Sequence, residues 1–176
     1  MASWRCSVCG RDHDELPNSL SWGKPYDYFA ASDDEKQGFV ALDDDRCHLN
    51  DERHFLRCTL ELPILDTHET LVLGVWIGVS KTNFYQYAEF LVNKTNEPDP
   101  PLLYGVLCGV LPGFTEEKLL WTEVMIRIRR ASLVPEVVIA DPQHALYRAY
   151  NHGVSHEYWH LVLRELHPEV ARQSGL

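Results

Sequence analysis

The stretch HFLRCTLELPIL at residues 54–65, with TLVLGVWIGVS at residues 70–80, decides the fold of this chain. In the first segment every second residue from Leu56 to Ile64 is apolar, which is typical of a strand with one buried face. The second segment is apolar almost throughout, as expected for a central strand. Because the link between them is a short polar turn, we predict that the two segments pair as an antiparallel hairpin.

Patterns outside this hairpin predict helices as well as further strands. Apolar residues from Phe84 to Leu91 recur at helical spacing, which predicts a helix over residues 81–94. Ser32 and Glu35 have the spacing of a capping box, which predicts a short helix over residues 33–38. The other predicted elements are strands over 102–111, 120–130 and 134–140 and helices over 141–150 and 155–166. We therefore predict an α+β fold, with a mainly antiparallel sheet whose helices cover mainly one face.

Length and charge limit the possible classes of protein. The chain has 176 residues, a length typical of one domain. We predict a single domain over 1–176, with a cysteine knuckle at 1–15, a sheet-forming body at 16–140 and C-terminal helices at 141–176. The 16 Lys and Arg residues against 26 Asp and Glu residues give a net charge of -10, which opposes binding to nucleic acid or to an anionic membrane.

Apolar runs and cysteine content indicate where in the cell the protein is located. No apolar run approaches the roughly 20 residues that a membrane-spanning helix needs. The first ten residues show no apolar signal-peptide region, and the chain has an odd number of cysteines, five. We therefore expect a cytoplasmic protein whose thiols are free or bound to a metal.

A possible metal site begins at Cys6-Ser7-Val8-Cys9-Gly10. Two thiolates at this C-x-x-C spacing can bind one tetrahedral zinc ion, and the glycine favours the tight turn that the spacing requires. One such knuckle supplies only two of four ligands. The candidates for the other two are His13, Cys47, His48, His54 and Cys58.

Several ungapped pieces of the chain occur in the order found in a known bacterial family. These pieces are Cys6-x-x-Cys9-Gly10-x-x-His13, Leu16-Pro17, Asp45-Arg46-Cys47, His54-Phe55-Leu56-Arg57, residues 60–67, Gly74-Val75-Trp76-Ile77 and Leu166-His167-Pro168. On these pieces the chain resembles the domain of unknown function 2199 family. The resemblance covers most of the chain and implies a bacterial protein of a family without an assigned activity.

The resemblance also narrows the choice of metal ligands. It marks Cys6, Cys9, His13 and Cys47 as motif positions, whereas Cys58 is one residue out of step with a family cysteine. It therefore implies a structural Zn²⁺ bound by Cys6, Cys9 and Cys47, with His13 as the fourth ligand. A zinc ion with four protein ligands has no open position for a substrate, so such a site would be structural.

The segment His156-Glu157-Tyr158-Trp159-His160 supports an alternative, because it matches the H-E-x-x-H motif of zinc peptidases. On a helix the two histidines share one face, and Glu157 can activate a zinc-bound water. The extended motif requires a glycine and a third histidine, but Leu163 and Leu166 occupy those positions. The more ordinary interpretation is an amphipathic helix that packs its leucines inward.

We therefore predict a protein-interaction or regulatory module with a structural zinc knuckle and no catalytic residue. The alternative is a zinc-dependent hydrolase that uses His156, Glu157 and His160. The expected partner is another protein, and the sequence leaves the oligomeric state open. Aromatic residues are frequent early in the chain, which suits a core or a protein-binding surface; they are Trp4, Trp22, Tyr26, Tyr28 and Phe29.

Overall fold

The structure is a computed structural model, and it describes residues 18–93, 100, 102–129, 134–166, 168 and 171–172, with the backbone of 4–5 and 12–13. The predicted hairpin is confirmed as β6 (Arg53–Pro63) and β7 (Thr70–Val79). The two strands pair antiparallel along their length, from His54 opposite Val79 to Pro63 opposite Thr70. Residues of β6 alternate between the two faces because successive side chains in a strand point in opposite directions.

Three later strands close the sheet into a small barrel. They are β8 (Leu102–Leu107), β9 (Glu123–Arg127) and β10 (Glu136–Val138), and each is shorter than predicted. Strand β8 pairs antiparallel with both β7 and β9, and β10 pairs antiparallel with β9. Strand β10 then lies parallel to β6, with Glu136 opposite Thr59. The α+β class is therefore correct, but the sheet is a closed five-stranded barrel rather than an open sheet covered on one face.

Short strands extend the sheet beyond the barrel. Strand β3 (Ser19–Ser21) runs parallel to β7. Strand β5 (Arg46–Leu49) pairs antiparallel with β6, and β4 (Phe39–Ala41) pairs with β5 at the edge of the sheet. A separate hairpin joins β1 (Trp4–Arg5) to β2 (Asp12–His13). Strands of two to four residues are too short to show a periodicity, so the sequence did not predict these elements.

The described helices are α1 (Tyr26–Ala30), α2 (Asp33–Lys36), α3 (Lys81–Asn93), α4 (Glu116–Leu119), α5 (Tyr147–His152) and α6 (His156–Leu166). The structure confirms α3, α6 and the capping box of α2, in which the Ser32 hydroxyl accepts from the Glu35 amide. Helix α5 begins later than predicted because Asp141 accepts from the Gln143 amide and starts a turn instead. Helices α1 and α4 were not predicted. None of the described helices is long and apolar enough to cross a membrane.

Two apolar clusters lie on opposite faces of the barrel wall. The larger cluster fills the barrel with side chains such as Leu60 and Ile77, and Trp159 of α6 and Phe84 of α3 are fully buried in it. The smaller cluster lies on the outer face and consists of Ala31, Cys47, Leu49, Phe55, Trp76 and Cys108. Helix α1 lies beside this outer cluster, which places the candidate site.

Candidate ligand-binding site

Three hydrogen bonds attach helix α1 and the segment that precedes it to the barrel. The Tyr26 amide donates to the Cys108 carbonyl at 2.9 Å. The guanidinium of Arg53 donates to Asp27 Oδ1 at 2.9 Å, and the Trp76 indole donates to the Trp22 carbonyl at 2.9 Å. These contacts hold a helix of only five residues, which is too short to be stable alone. Two cavities lie beside this segment, and Cys108 lines both of them.

The first of these, which we name the aromatic cavity, encloses about 280 Å³. Its wall is largely apolar and includes four aromatic residues, Trp22, Tyr26, Phe29 and Trp76. Lys24 and Glu116 supply the charges in this wall. The Tyr26 hydroxyl donates to Glu116 at 3.2 Å, and the negative charge of Glu116 raises the pKa of Tyr26. An apolar cavity with a few charged groups is the usual form of a small-molecule site.

The second is an open cleft of about 370 Å³, which we name the Asp27 cleft. Its wall includes Asp27, Arg53, Cys108 and Trp121. The Asp27 side chain is 1% exposed, and burial raises its pKa although the Arg53 guanidinium opposes this change. The Cys108 thiol lies beside this carboxylate and donates to the Val106 carbonyl at 3.5 Å, and Asp27 Oδ2 is buried from solvent.

The cysteines of the described chain are not activated nucleophiles. Cys47, Cys58 and Cys108 are buried free thiols. Burial raises the pKa of Cys47 to about 12, and the carboxylates of Asp27 and Asp43 add to the effect. Burial likewise raises the pKa of Cys58 and Cys108 well above the ordinary range. Since the thiolate is the reactive form, these residues favour packing over covalent chemistry.

The structure describes the predicted zinc ligands only in part. Cys6 and Cys9 lie outside the described residues, and His13 is described only by its backbone, in β2 opposite Trp4. Cys47 lies in the outer apolar cluster and is 1% exposed. Within the described part of the chain, no three metal-binding side chains form a group that could hold an ion. The zinc site therefore stays a prediction.

The H-E-x-x-H segment is helical, as the alternative requires. His160 is fully buried in α6, His156 is half-buried, and Glu157 is exposed. These three residues do not form a metal-holding group with one another or with any other side chain that the structure describes. Nothing in the described structure therefore supports the hydrolase alternative.

His144 lies in the wall of a third, larger cleft of about 840 Å³, where its contacts hold the local backbone. Its Nε2 lies 3.0 Å from the Thr122 hydroxyl, which itself donates to the Leu119 carbonyl. Its Nδ1 accepts the Leu146 amide at 3.0 Å. Burial lowers the pKa of His144. These contacts favour a neutral imidazole that holds the loop before α5.

Sequence reasoning found part of the candidate site. It noted the early aromatic residues, of which Trp22, Tyr26 and Phe29 line the aromatic cavity. It missed Asp27 and Trp121, because neither belongs to a motif. Trp121 has a φ of +64°, an unusual value for a bulky residue, and only the folded backbone shows it.

The fold and the cavities define a small α+β protein built on a closed five-stranded barrel, with two cavities beside helix α1. The chain belongs to a bacterial family described as "Uncharacterized protein conserved in bacteria (DUF2199)", whose model matches residues 5–154. This match confirms the family resemblance, and it ends before the H-E-x-x-H segment and before Leu166-His167-Pro168. No curated protein and no solved structure matches the chain.

Proposed function

We propose that this protein is a non-catalytic binding protein whose aromatic cavity takes a small, partly apolar organic molecule. One observation carries the proposal: four aromatic side chains and two opposite charges surround about 280 Å³ between α1 and the barrel. Burying an apolar molecule there is favourable, and Lys24 and Glu116 can orient a polar end. Binding of a small molecule beside α1 suits the regulatory module that the sequence predicts.

The test uses indole and indole-3-acetate as probes of the full-length protein. Binding is followed by amide chemical-shift changes and by titration. A ligand of about ten heavy atoms that fits such a cavity binds with a Kd on the order of 1 mM or tighter. If indole-3-acetate binds more tightly than indole, Lys24 is the partner of its carboxylate. If the two probes bind equally, the apolar and aromatic wall alone accounts for the affinity.

A matched pair of glycine variants tests whether the probe binds in the aromatic cavity. A Cβ at Gly109, in the wall of the aromatic cavity, would meet no atom within 4 Å, so Gly109→Leu adds bulk at this wall without a clash at its Cβ. A Cβ at Gly23 is equally unobstructed, and Gly23 lies outside the wall. We expect Gly109→Leu to weaken binding at least tenfold and Gly23→Leu less than twofold. The proposal is wrong if neither probe binds or if both variants bind like the original protein.

A protein partner is the second candidate, as the sequence predicts. The observation that favours it is Phe29, which is 64% exposed at the wall of the aromatic cavity. Exposed aromatic side chains are enriched in protein interfaces. Phe29→Ala removes little buried area, so it should leave the stability within about 0.5 kcal/mol of the original. If Phe29→Ala abolishes association with a protein but does not change probe affinity, the protein partner is the better assignment.

We propose in addition that Cys6, Cys9, Cys47 and His13 bind a structural zinc ion. The supporting observation is the hairpin of β1 and β2, which pairs Arg5 with Asp12 and so brackets the C-x-x-C-G segment. Antiparallel pairing of the flanking residues is compatible with a C-x-x-C segment that supplies two ligands to one tetrahedral ion. The buried position of Cys47 is also compatible with core packing, so Cys47 needs its own variant.

Elemental analysis of the purified full-length protein tests the zinc proposal. We expect about one equivalent of zinc, lost in Cys6→Ser/Cys9→Ser and retained in His156→Ala/His160→Ala. Loss of zinc in Cys47→Ala would support Cys47 as a ligand, and retention would remove it from the set. Zinc retained without the two cysteines but lost without the two histidines would overturn the proposal in favour of the hydrolase.

A further inference from the structure

The outer side of β4 is an open edge of the sheet. Strand β4 is the last strand in the sheet order, and no described strand pairs with it on the side away from β5. The Leu42 amide donates to the Arg46 carbonyl at 2.9 Å, so these two residues form a hydrogen-bonded pair. In an antiparallel ladder such pairs alternate with pairs that lack hydrogen bonds, so Phe39 and Ala41 direct their backbone amides and carbonyls outward.

This edge lacks the usual protection against an added strand. Native proteins protect exposed edges with lysine, with proline or with a covering element. Residues 38–42 contain neither lysine nor proline, and the side chains of Val40 and Leu42 are 42% and 49% exposed. Because these side chains are two positions apart, they lie on one face of the strand. An added strand therefore meets free backbone donors and acceptors beside two exposed apolar side chains.

Acidic side chains flank the edge at both ends. Helix α2 precedes β4, and an acidic turn at residues 43–45 follows it. Residues 33–45 contain six carboxylates and one lysine, so they account for half of the chain's net charge of -10. Three of these carboxylates have ion-pair partners, whereas Asp34 and Asp44 are exposed and have none among the described residues. The edge therefore attracts a positively charged partner.

The same charges oppose a second copy of this chain as the occupant. Pairing of two β4 edges would bring two acidic stretches together, and like charges that face each other across a strand pair are destabilising. A basic extended segment is attracted instead, and its backbone can pair with the edge whatever its side chains are. Because the short strand offers few hydrogen bonds, charge supplies much of the selectivity.

We propose that the edge of β4 binds an extended basic segment of another protein by strand addition. The backbone of that segment pairs with Phe39 and Ala41. Its central apolar side chains lie beside Val40 and Leu42, and basic residues at its two ends face the carboxylates of residues 33–45. This surface is separate from the aromatic cavity, so the proposal does not rest on the ligand proposed there.

The test uses two capped peptides as probes of the full-length protein. One has the sequence KKVTVTVKK and the other EEVTVTVEE, so the two share a strand-forming centre and differ only in the charge of their ends. Binding of each dye-labelled peptide is followed by fluorescence anisotropy. We expect the basic peptide to bind at least tenfold more tightly than the acidic peptide. Equal affinities would overturn the proposal.

Substitutions at Ala41 test whether the peptide uses the backbone edge. Ala41→Pro removes the outward amide without removing a hydrogen bond to β5, and proline is tolerated on this side of an edge strand. Ala41→Val keeps the amide and is the matched control. We expect Ala41→Pro to weaken binding of the basic peptide at least fivefold and Ala41→Val less than twofold. If both variants bind like the original protein, strand addition at β4 is wrong.

Charge reversals keep the test decisive if Ala41→Pro does not fold. Asp34→Lys/Asp44→Lys reverses two charges beside β4. Glu89→Lys/Glu117→Lys reverses two exposed charges on α3 and α4, so both double variants have the same net charge. At physiological ionic strength we expect the first to weaken binding of the basic peptide at least fivefold and the second less than twofold. Equal weakening would show that attraction to the whole chain, rather than to this edge, is responsible.

Sedimentation of the protein without peptide tests the second copy as the occupant. We expect no dimer that depends on β4. A dimer that Ala41→Pro dissociates would overturn the proposal in favour of pairing between two copies. Neither this result nor the peptide results would affect the ligand proposed for the aromatic cavity.

Discussion

Replacement of Gly105 by alanine should separate β8 from β7 and destabilise the barrel. A Cβ at Gly105 would lie 2.6 Å from the Gly78 carbonyl oxygen and 2.6 Å from Ile77 Cγ2. A Cβ essentially never lies within 3.0 Å of another non-bonded heavy atom in folded proteins, and this carbonyl belongs to the backbone of β7, which cannot rotate away. Strands β7 and β8 pair at only three residue positions, so displacement at one of them disturbs the whole pairing.

The expected loss in the free energy of unfolding is about 3 kcal/mol, the upper end of the usual cost of overpacking. For a chain of 176 residues this loss corresponds to a fall in Tm of about 6–12 °C. Urea unfolding followed by tryptophan fluorescence, together with a thermal scan, measures both quantities. Gly109→Ala is the matched control, because its Cβ meets no atom within 4 Å and its effect should stay within about 0.5 kcal/mol. If Gly105→Ala and Gly109→Ala lower the free energy of unfolding equally, the close approach of β8 to β7 at Gly105 is refuted.

Three further outcomes follow from single groups. Ser32→Ala removes the cap of α2 and should lower the free energy of unfolding by about 1 kcal/mol in the same urea assay, and an unchanged value would contradict the cap. Cys47, Cys58 and Cys108 are buried with raised pKa values, so at pH 8 a disulfide reagent should modify at most two of the five cysteines before unfolding and all five afterwards. A third thiol that reacts quickly in the folded protein would refute this burial. His144 has a pKa below its unfolded value, so the unfolded chain binds the proton more readily, and stability should fall as the pH drops from 7 through about 6.5. His144→Gln should reduce that fall, and equal pH profiles for both proteins would show that another group is responsible.

The elements that the sequence predicted are those with local signals. The hairpin of β6 and β7 has a strict alternation on one strand and a short turn, and its register follows from burial of one face. The cap formed by Ser32 and Glu35 depends on residues three positions apart, so it could be read directly. Helix α6 shows the helical period and was predicted almost to the residue.

No local sequence pattern predicted that the sheet closes into a barrel. Strand β10 has three residues, and its contact with β6 is a parallel pairing of Glu136 with Thr59 between distant parts of the chain. The Thr59 amide donates to the Pro135 carbonyl at 2.7 Å, a contact that only the fold brings about. A short strand of this kind becomes recognisable once its partner is in place, because long-range pairing rather than intrinsic propensity stabilises it.

The sequence by itself determined the family, the α+β class, the central hairpin and the early cluster of aromatic residues, because each of these depends on neighbours along the chain. The tertiary structure alone decided the barrel and the two cavities. Asp27, Arg53, Cys108 and Trp121 come from four separate segments, and no motif relates them. They meet because α1 lies beside the barrel, where the Asp27 side chain is buried. Burial and long-range contacts are properties of the folded chain, so no local sequence pattern could have predicted them.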